Sequence, residues 1–163
     1  MDTVWSSERP RGGGRSVRVE LWVPCGKRDE FETVIDRLED AETRGVIDGF
    51  SVEGWNRYVD LSGQLSPRER KVRDRVTSFA RWAVLHGERL PGLGDPVVKG
   101  VGRMGPERLT RRTPRAVIAE YQDGVLSNVT ACDECVGALR DRVCELDDEF
   151  DRTHPVEPVT VDS

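Results

Sequence analysis

The chain has 163 residues, a mass of 18.3 kDa, four cysteines and only two histidines, and a chain of this size is expected to form one domain. It is long enough to fold without disulfides or metals, so stability does not require the cysteines. The 30 acidic and 25 basic residues give a net charge of −5, which argues against broad binding of phosphate backbones. A local basic patch is still compatible with that total.

Apolar residues are too dispersed for a membrane segment. No run of about 18 apolar residues occurs, so we predict no spanning helix and no membrane partner. The first 16 residues hold three arginines around Gly12–Gly14 and no apolar stretch of signal-peptide length. We therefore expect a cytoplasmic protein, in a compartment where thiols stay reduced unless they are catalytic, sensing or metal-bound.

The two ends of the chain differ in composition from its middle. Residues 1–16 are rich in Gly, Ser and Arg, and residues 151–163 contain two prolines and scattered acids. Neither segment can bury enough apolar surface to offset the entropy of ordering it. We predict disordered tails at 1–16 and 151–163 and a single α/β domain over 17–150.

The first half of that domain predicts a βαβ unit. Apolar residues alternate over Val17–Val23, which is typical of a strand, with Glu20 and Trp22 on its second face. Apolar residues recur at helical spacing over 27–44, and a second strand is predicted over Gly49–Trp55. Two strands joined by a helix are expected to be parallel, with a right-handed crossover.

The middle of the chain predicts a helix followed by a long loop. The run Ser66-Pro67-Arg68-Glu69 is a capping-box signature with Pro at the first helical position, and the helix is expected to reach about His86. The basic residues of its first turns are interpreted as a solvated helix face. Residues 87–110, rich in Gly and Pro, are predicted to be a loop.

The last third predicts a β-hairpin and a helix. Strands are expected over Pro114–Tyr121 and Val125–Ala131, joined by the turn Gln122-Asp123-Gly124. A final helix, with an apolar stripe ending at Phe150, is expected to be capped by Asp133.

This order of elements (βαβ, helix, β-hairpin, helix) resembles the minimal thioredoxin fold over about Val17–Phe150, and Thr113-Pro114 before a strand is the closest local match. The resemblance implies a cis proline at Pro114 beside an active site, and a Cys-x-x-Cys motif at the start of the first helix. The chain has Cys25-Gly26-Lys27-Arg28 there. Cys25 matches the nucleophilic position but Arg28 replaces the second cysteine, so a dithiol oxidoreductase cycle is disfavoured and a non-enzymatic role is favoured.

A second resemblance is carried by Val19–Pro24, Ile35–Leu38 and Gly49–Val52. These segments are similar to an uncharacterised haloarchaeal family whose members are labelled helix-turn-helix domain proteins, which implies a DNA-associated regulator. A helix-turn-helix needs two helices joined by a turn of three or four residues. The pattern instead places strands or long loops on both sides of each predicted helix.

Strand direction brings three of the four cysteines to one end of the predicted sheet. Cys25, Pro114 and Cys132–Cys135 should meet there. Cys25 could act as a redox or sensing thiol with Cys132 as its resolving partner. Alternatively, Cys25, Cys132 and Cys135 could hold zinc, the one cofactor considered, or all could be ordinary small buried residues.

One dense basic patch precedes Pro114, and it consists of Arg108, Arg111, Arg112 and Arg115. It is either a binding site for an anionic partner or a solvated surface.

The sequence therefore leaves three functions open. The first is a non-enzymatic interaction or regulatory module on a thioredoxin-like scaffold, with an unknown protein partner and Cys25 as a thiol sensor. The second is a DNA-associated transcription regulator of helix-turn-helix type, although the net charge disfavours nucleic acid. The third is a zinc-binding protein with cysteine ligands.

Overall fold

The computed structural model describes residues 16–99, 108–134 and 136–153, which contain three α-helices and seven β-strands. In chain order they are β1 (Val17–Pro24), α1 (Glu32–Thr43), β2 (Gly49–Trp55), β3 (Tyr58–Asp60), α2 (Pro67–Leu85), β4 (Val97–Lys99), β5 (Arg108–Arg112), β6 (Ala116–Gln122), β7 (Val125–Cys132) and α3 (Gly137–Thr153). The predicted α/β class is confirmed. No helix in these described stretches is long and apolar enough to cross a membrane.

The main sheet has four strands in the order β2-β1-β6-β7. Strands β1 and β2 are parallel, whereas β6 is antiparallel to both of its neighbours, β1 and β7. Strand β7 therefore runs in the same direction as β1, as expected from a βαβ unit followed by a hairpin. The hairpin turn is formed by Asp123 and Gly124, both with positive φ, which confirms the predicted turn.

Both faces of this sheet are covered. Helices α1 and α3 pack on one face, around Leu21, Leu38, Ile118 and Leu139. Helix α2 packs on the other face, over a cluster that contains Trp22, Trp55, Phe79 and Trp82. The side chains of β1 are therefore buried on both faces, including Glu20 and Trp22.

The first two predicted helices are present in the structure, close to their expected bounds. The segment predicted as one helix over 27–44 begins with a 3₁₀ turn at Arg28–Phe31 and continues as α1 to Thr43. The capping box of α2 is confirmed, because the Ser66 hydroxyl accepts from the Glu69 N–H at 3.1 Å and the Glu69 carboxylate accepts from the Ser66 N–H at 2.9 Å.

A second, three-stranded antiparallel sheet with the order β3-β5-β4 was not predicted. Strand β4 lies within the segment predicted as a loop over 87–110, and β5 begins within it, so that prediction is corrected at both places; residues 100–107 lie outside the described residues. Strands β3 and β4 have only three residues each, too few to show an alternating pattern. Their pairing depends on a partner distant in sequence.

Three further expectations are corrected. The peptide bond before Pro114 is trans, since the described residues contain no cis peptide bond, and β6 begins two residues later at Ala116. Asp133 does not cap α3, because two arginines occupy its carboxylate. Helix α3 continues to Thr153, three residues into the segment predicted as a tail.

Candidate nucleic-acid interface

The predicted cysteine site lies at the carboxyl ends of β1 and β7. Cys25 follows β1 and its backbone N–H donates to the Trp55 carbonyl at 3.0 Å, while Cys132 ends β7 opposite Ala116. The structure thus brings both cysteines to the same end of the sheet. Strand β6 lies between β1 and β7, however, which separates them by two strand spacings, about 10 Å. A disulfide requires Cα atoms within about 7 Å, so direct pairing would need backbone movement.

The cysteines also differ in exposure. Cys25 is exposed, Cys132 is buried, and Cys144 is half-buried and accepts from the Arg37 guanidinium at 3.3 Å. Cys25 and Cys144 are free thiols. Cys135 lies outside the described residues, and within those residues no three candidate ligands cluster for a metal. The zinc set of Cys25, Cys132 and Cys135 therefore stays a prediction.

The predicted basic patch lies on β5 and the turn after it, and each arginine has a partner within the protein. The pairs are Arg108 with Asp60 at 3.8 Å, Arg111 with the Gly94 carbonyl at 2.7 Å, Arg112 with Asp133 at 3.1 Å, and Arg115 with Glu30. Burial lowers the pKa of the Arg111 guanidinium. Arg108 stays the most available of the four, with 65% of its side chain exposed.

Asp133 fixes this region to the end of the sheet. Its two carboxylate oxygens accept from Arg57 at 3.0 Å and from Arg112 at 3.1 Å. Gly92, with φ +84°, lies so close that a Cβ atom there would be 2.4 Å from a carboxylate oxygen of Asp133. The loop after α2 is therefore packed against the arginine-bound carboxylate.

Charge is segregated between the two faces of the main sheet. Helix α2 carries six basic and two acidic residues, whereas α1 and α3 together carry four basic and eleven acidic residues. The second sheet adds four basic residues and one acidic residue beside α2. The net charge of −5 thus conceals a basic layer on one face and an acidic layer on the other.

The outward side of α2 presents a continuous stripe. Exposed residues recur every three or four positions, which places them in one line along the helix. They are Arg70, Asp74, Thr77, Arg81 and Val84. From Arg70 to Val84, a rise of 14 residues, this line is about 21 Å long. Neither Arg70 nor Arg81 makes a side-chain hydrogen bond or ion pair with the described residues, so both charges are available to a partner.

The second sheet continues the basic surface at the start of α2. The pKa of Glu69 is lowered, first by the backbone and side chain of Ser66 and also by the positive charge of Arg108. Arg108 pairs with Asp60 of β3, the strand of this sheet that contacts α2. The segment between β3 and α2 is fixed along β5, since the Leu61 N–H donates to the Leu109 carbonyl at 2.7 Å.

Beneath α2, Glu20 on β1 is buried and fully hydrogen-bonded. Arg75 of α2 donates to both of its carboxylate oxygens, at 2.8 and 2.9 Å. The Tyr121 hydroxyl donates at 3.0 Å and the Trp22 indole at 3.1 Å. Burial and the negative charge of Glu20 raise the pKa of Tyr121, which stays a hydrogen-bond donor. Burial opposes the charge on Arg75, but its bonds to Glu20 keep the pKa of its guanidinium above the ordinary value.

The acidic face of the sheet also has a buried, hydrogen-bonded glutamate, which lies beneath α3. Glu120 on β6 is buried and accepts from Arg142 of α3 at 2.6 and 2.8 Å and from Asn128 at 2.8 Å. The hydrogen bonds to Glu120 raise the pKa of Arg142. Each face of the sheet therefore holds its helix through one buried glutamate and one arginine.

The sequence reasoning missed both glutamates and misassigned Arg75. The run at positions 68–75 predicts a solvated face, yet the Arg75 guanidinium donates to Glu20 on the sheet. A usable signal was present in β1, where Glu20 shares a strand face with Trp22. A tryptophan on the supposed polar face indicates that this face is covered, and a glutamate beside it then needs a buried partner.

Comparison with known proteins identified one family. A family model described as a helix-turn-helix domain matches residues 12–157. Searches of the curated proteins and of the solved structures found no match. In the described part of the chain no two α-helices are joined by a short turn, because strands separate α1, α2 and α3. The family match covers most of the sequence, and the chain belongs to this helix-turn-helix domain family.

Proposed function

We propose that this protein is a non-enzymatic regulator that binds nucleic acid, with duplex DNA as its preferred form, through the outward side of α2. The observation that carries the proposal is the segregation of charge between the two faces of the sheet. Phosphate binding needs a local excess of Lys and Arg and does not depend on the total charge. The excess on α2 and the second sheet supplies it, and family membership supports the same class of role.

The shape of α2 suits a duplex. A helix with its side chains is about 10–12 Å wide, and the major groove of B-DNA is about 12 Å wide. Arg70 and Arg81 mark two points about 16 Å apart on the exposed stripe. The exposed Asp74 and Thr77 between them have side chains able to contact base edges. A single exposed helix would then replace the two-helix unit that the family description suggests.

The negative charge of the acidic face should orient the protein relative to an approaching duplex. Phosphates repel α1 and α3, so a duplex approaching the protein meets the basic layer first. Such steering raises the association rate at low ionic strength and weakens as salt screens the charges.

We further propose that the scaffold is thioredoxin-like. Its support is the strand order β2-β1-β6-β7, the directions of these strands, and helices on both faces. A second role, thiol sensing by Cys25, is favoured by the exposure of this one thiol at the end of the sheet.

Fluorescence anisotropy with a labelled 30-base-pair duplex tests the main proposal. We expect binding at 50 mM salt that weakens steeply towards 200 mM, because each phosphate contact adds about 0.9 to the logarithmic salt slope. A single strand of the same length is the comparison and should bind more weakly. Absence of duplex binding at 50 mM salt would contradict the proposal, since phosphate contacts are strongest there.

A further inference from the structure

Glu20 lies beneath α2, the helix proposed as the nucleic-acid interface, and is hydrogen-bonded to it. Its carboxylate lies in the centre of the main sheet, is 2% exposed at the side chain and accepts three hydrogen bonds from Arg75 of α2. Arg75 lies between Arg70 and Arg81 in sequence but on the inward side of the helix, next to Val72, Val76 and Phe79. The position of Arg75 therefore sets which side of α2 faces outward.

Stability alone does not account for this ion pair. A buried ion pair repays its desolvation only with good geometry, and replacement by apolar residues is often neutral or stabilising. The Glu20 carboxylate has the required geometry, with a two-pronged contact from Arg75 and further donors in Tyr121 and Trp22. The Arg75 guanidinium also lies 5.9 Å from the centre of the Tyr121 ring.

Apolar packing by itself leaves α2 free to shift. The side chains beneath α2 are mostly aromatic rings and valines, and such surfaces permit small rotations and translations of a helix. The directional bonds to Glu20 select one rotation, because both guanidinium bonds can form in only one orientation.

We infer that Glu20 is a positioning residue that, through Arg75, holds α2 in the rotation that presents Arg70 and Arg81 to nucleic acid. The second part of this inference, the presentation of Arg70 and Arg81 to nucleic acid, rests on the proposed function. Its first part, the anchoring of α2, is a property of the fold and is measurable without any nucleic acid.

The protein contains its own matched control. Glu120 is also a buried glutamate held by an arginine, but its partner Arg142 belongs to α3 on the acidic face. Glu20→Gln and Glu120→Gln make the same chemical change on opposite faces of one sheet. Tyr121→Phe is a milder variant, since it removes a single hydrogen bond to Glu20 and leaves Arg75 in place.

The test combines amide hydrogen exchange of the full chain with anisotropy on the 30-base-pair duplex. Glu20→Gln should speed exchange in α2 relative to α3 and weaken duplex binding by at least about fivefold, or about 1 kcal/mol. Glu120→Gln should speed exchange in α3 and leave affinity within about twofold. Tyr121→Phe should also speed exchange in α2 and weaken duplex binding, but by less than Glu20→Gln. This variant keeps the test informative if Glu20→Gln does not fold.

The outcomes separate the two claims. Equal losses of affinity in both glutamine variants, or unchanged exchange in α2 of the Glu20 variant and of Tyr121→Phe, would overturn the inference. If the wild-type protein binds no duplex, the proposed function fails, and selective loosening of α2 would still support the anchoring role of Glu20.

Discussion

The two faces of the main sheet use the same internal contact beneath helices of opposite charge. Glu20 with Arg75 holds α2, and Glu120 with Arg142 holds α3, yet α2 is basic on its outward side and α3 is acidic. Both helices are attached to the sheet by a buried glutamate and an arginine. The faces therefore differ in the charge of the side chains that the helices expose to solvent. A regulator that binds a polyanion with one face needs this combination, a fixed helix and a local charge excess.

The largest expected effect is the loss of one buried partner on the acidic face. Arg142→Met leaves Glu120 buried without its cation, which should lower the free energy of unfolding by about 3 kcal/mol at pH 7. Urea unfolding at pH 7 measures this loss.

The control for this change is Arg140→Met, which removes an exposed arginine from the same helix. It should change the free energy of unfolding by less than about 0.5 kcal/mol. A loss in Arg142→Met no larger than the loss in Arg140→Met would mean that Glu120 finds another cation.

Charge reversal on the outward side of α2 should have the next largest effect. Arg70→Glu combined with Arg81→Glu should weaken duplex binding by at least about tenfold and reduce the logarithmic salt slope by about 2. The matched double variant, Arg140→Glu with Arg152→Glu on α3, makes the same change in total charge. Similar losses in both double variants would show that total charge, and not the α2 surface, controls binding.

Loss of the N-terminal cap of α2 should have a smaller effect than either of the preceding changes. Ser66→Ala removes the side-chain acceptor for Glu69 and should cost about 1 kcal/mol of stability. The pKa of Glu69 is lowered in the folded state by its bonds to Ser66, so ionised Glu69 stabilises the protein above its unfolded pKa and this contribution is lost as the pH falls.

We therefore expect the stability gap between wild type and Glu69→Gln to close below about pH 4. Thermal unfolding between pH 3 and pH 7, about the range over which a glutamate titrates, measures the gap. A gap that persists at the lowest pH would show that Glu69 acts through packing and not through its charge.

The smallest effect on stability is expected at the cysteine end of the sheet. Cys25→Ser should leave the free energy of unfolding within about 0.5 kcal/mol, because this thiol is exposed. Iodoacetamide should modify Cys25 in the native protein before the buried Cys132, as mass spectrometry of peptides would show. If Cys25 senses oxidants, peroxide should alter duplex affinity in the wild type and not in Cys25→Ser; an equal response in both would exclude that role.

Most of the main sheet and the helices could be predicted, because their signals are local. The alternation in β1, the capping box at Ser66 and the Asp123-Gly124 turn each depend on a few adjacent residues, and the structure has all three. The second sheet could not be predicted in this way, because Tyr58–Asp60 and Val97–Lys99 become strands only when β5 lies between them. Asp133 illustrates the same limit, since a residue suited to cap a helix binds Arg57 and Arg112 instead.

The order of residues was enough to predict the α/β class, the directions of the main strands and the family resemblance, and it has Arg28 where a second cysteine would stand. Which charges remain available depends on how the elements pack together. Arginines at positions 68–75 and 108–115 look equivalent along the chain, yet Arg75, Arg111 and Arg112 donate hydrogen bonds to other parts of the protein, while Arg70 is exposed and unbonded within the described residues. The reason is physical, because a buried carboxylate such as Glu20 must take a cation from whichever element packs over it, and only the packing specifies that element.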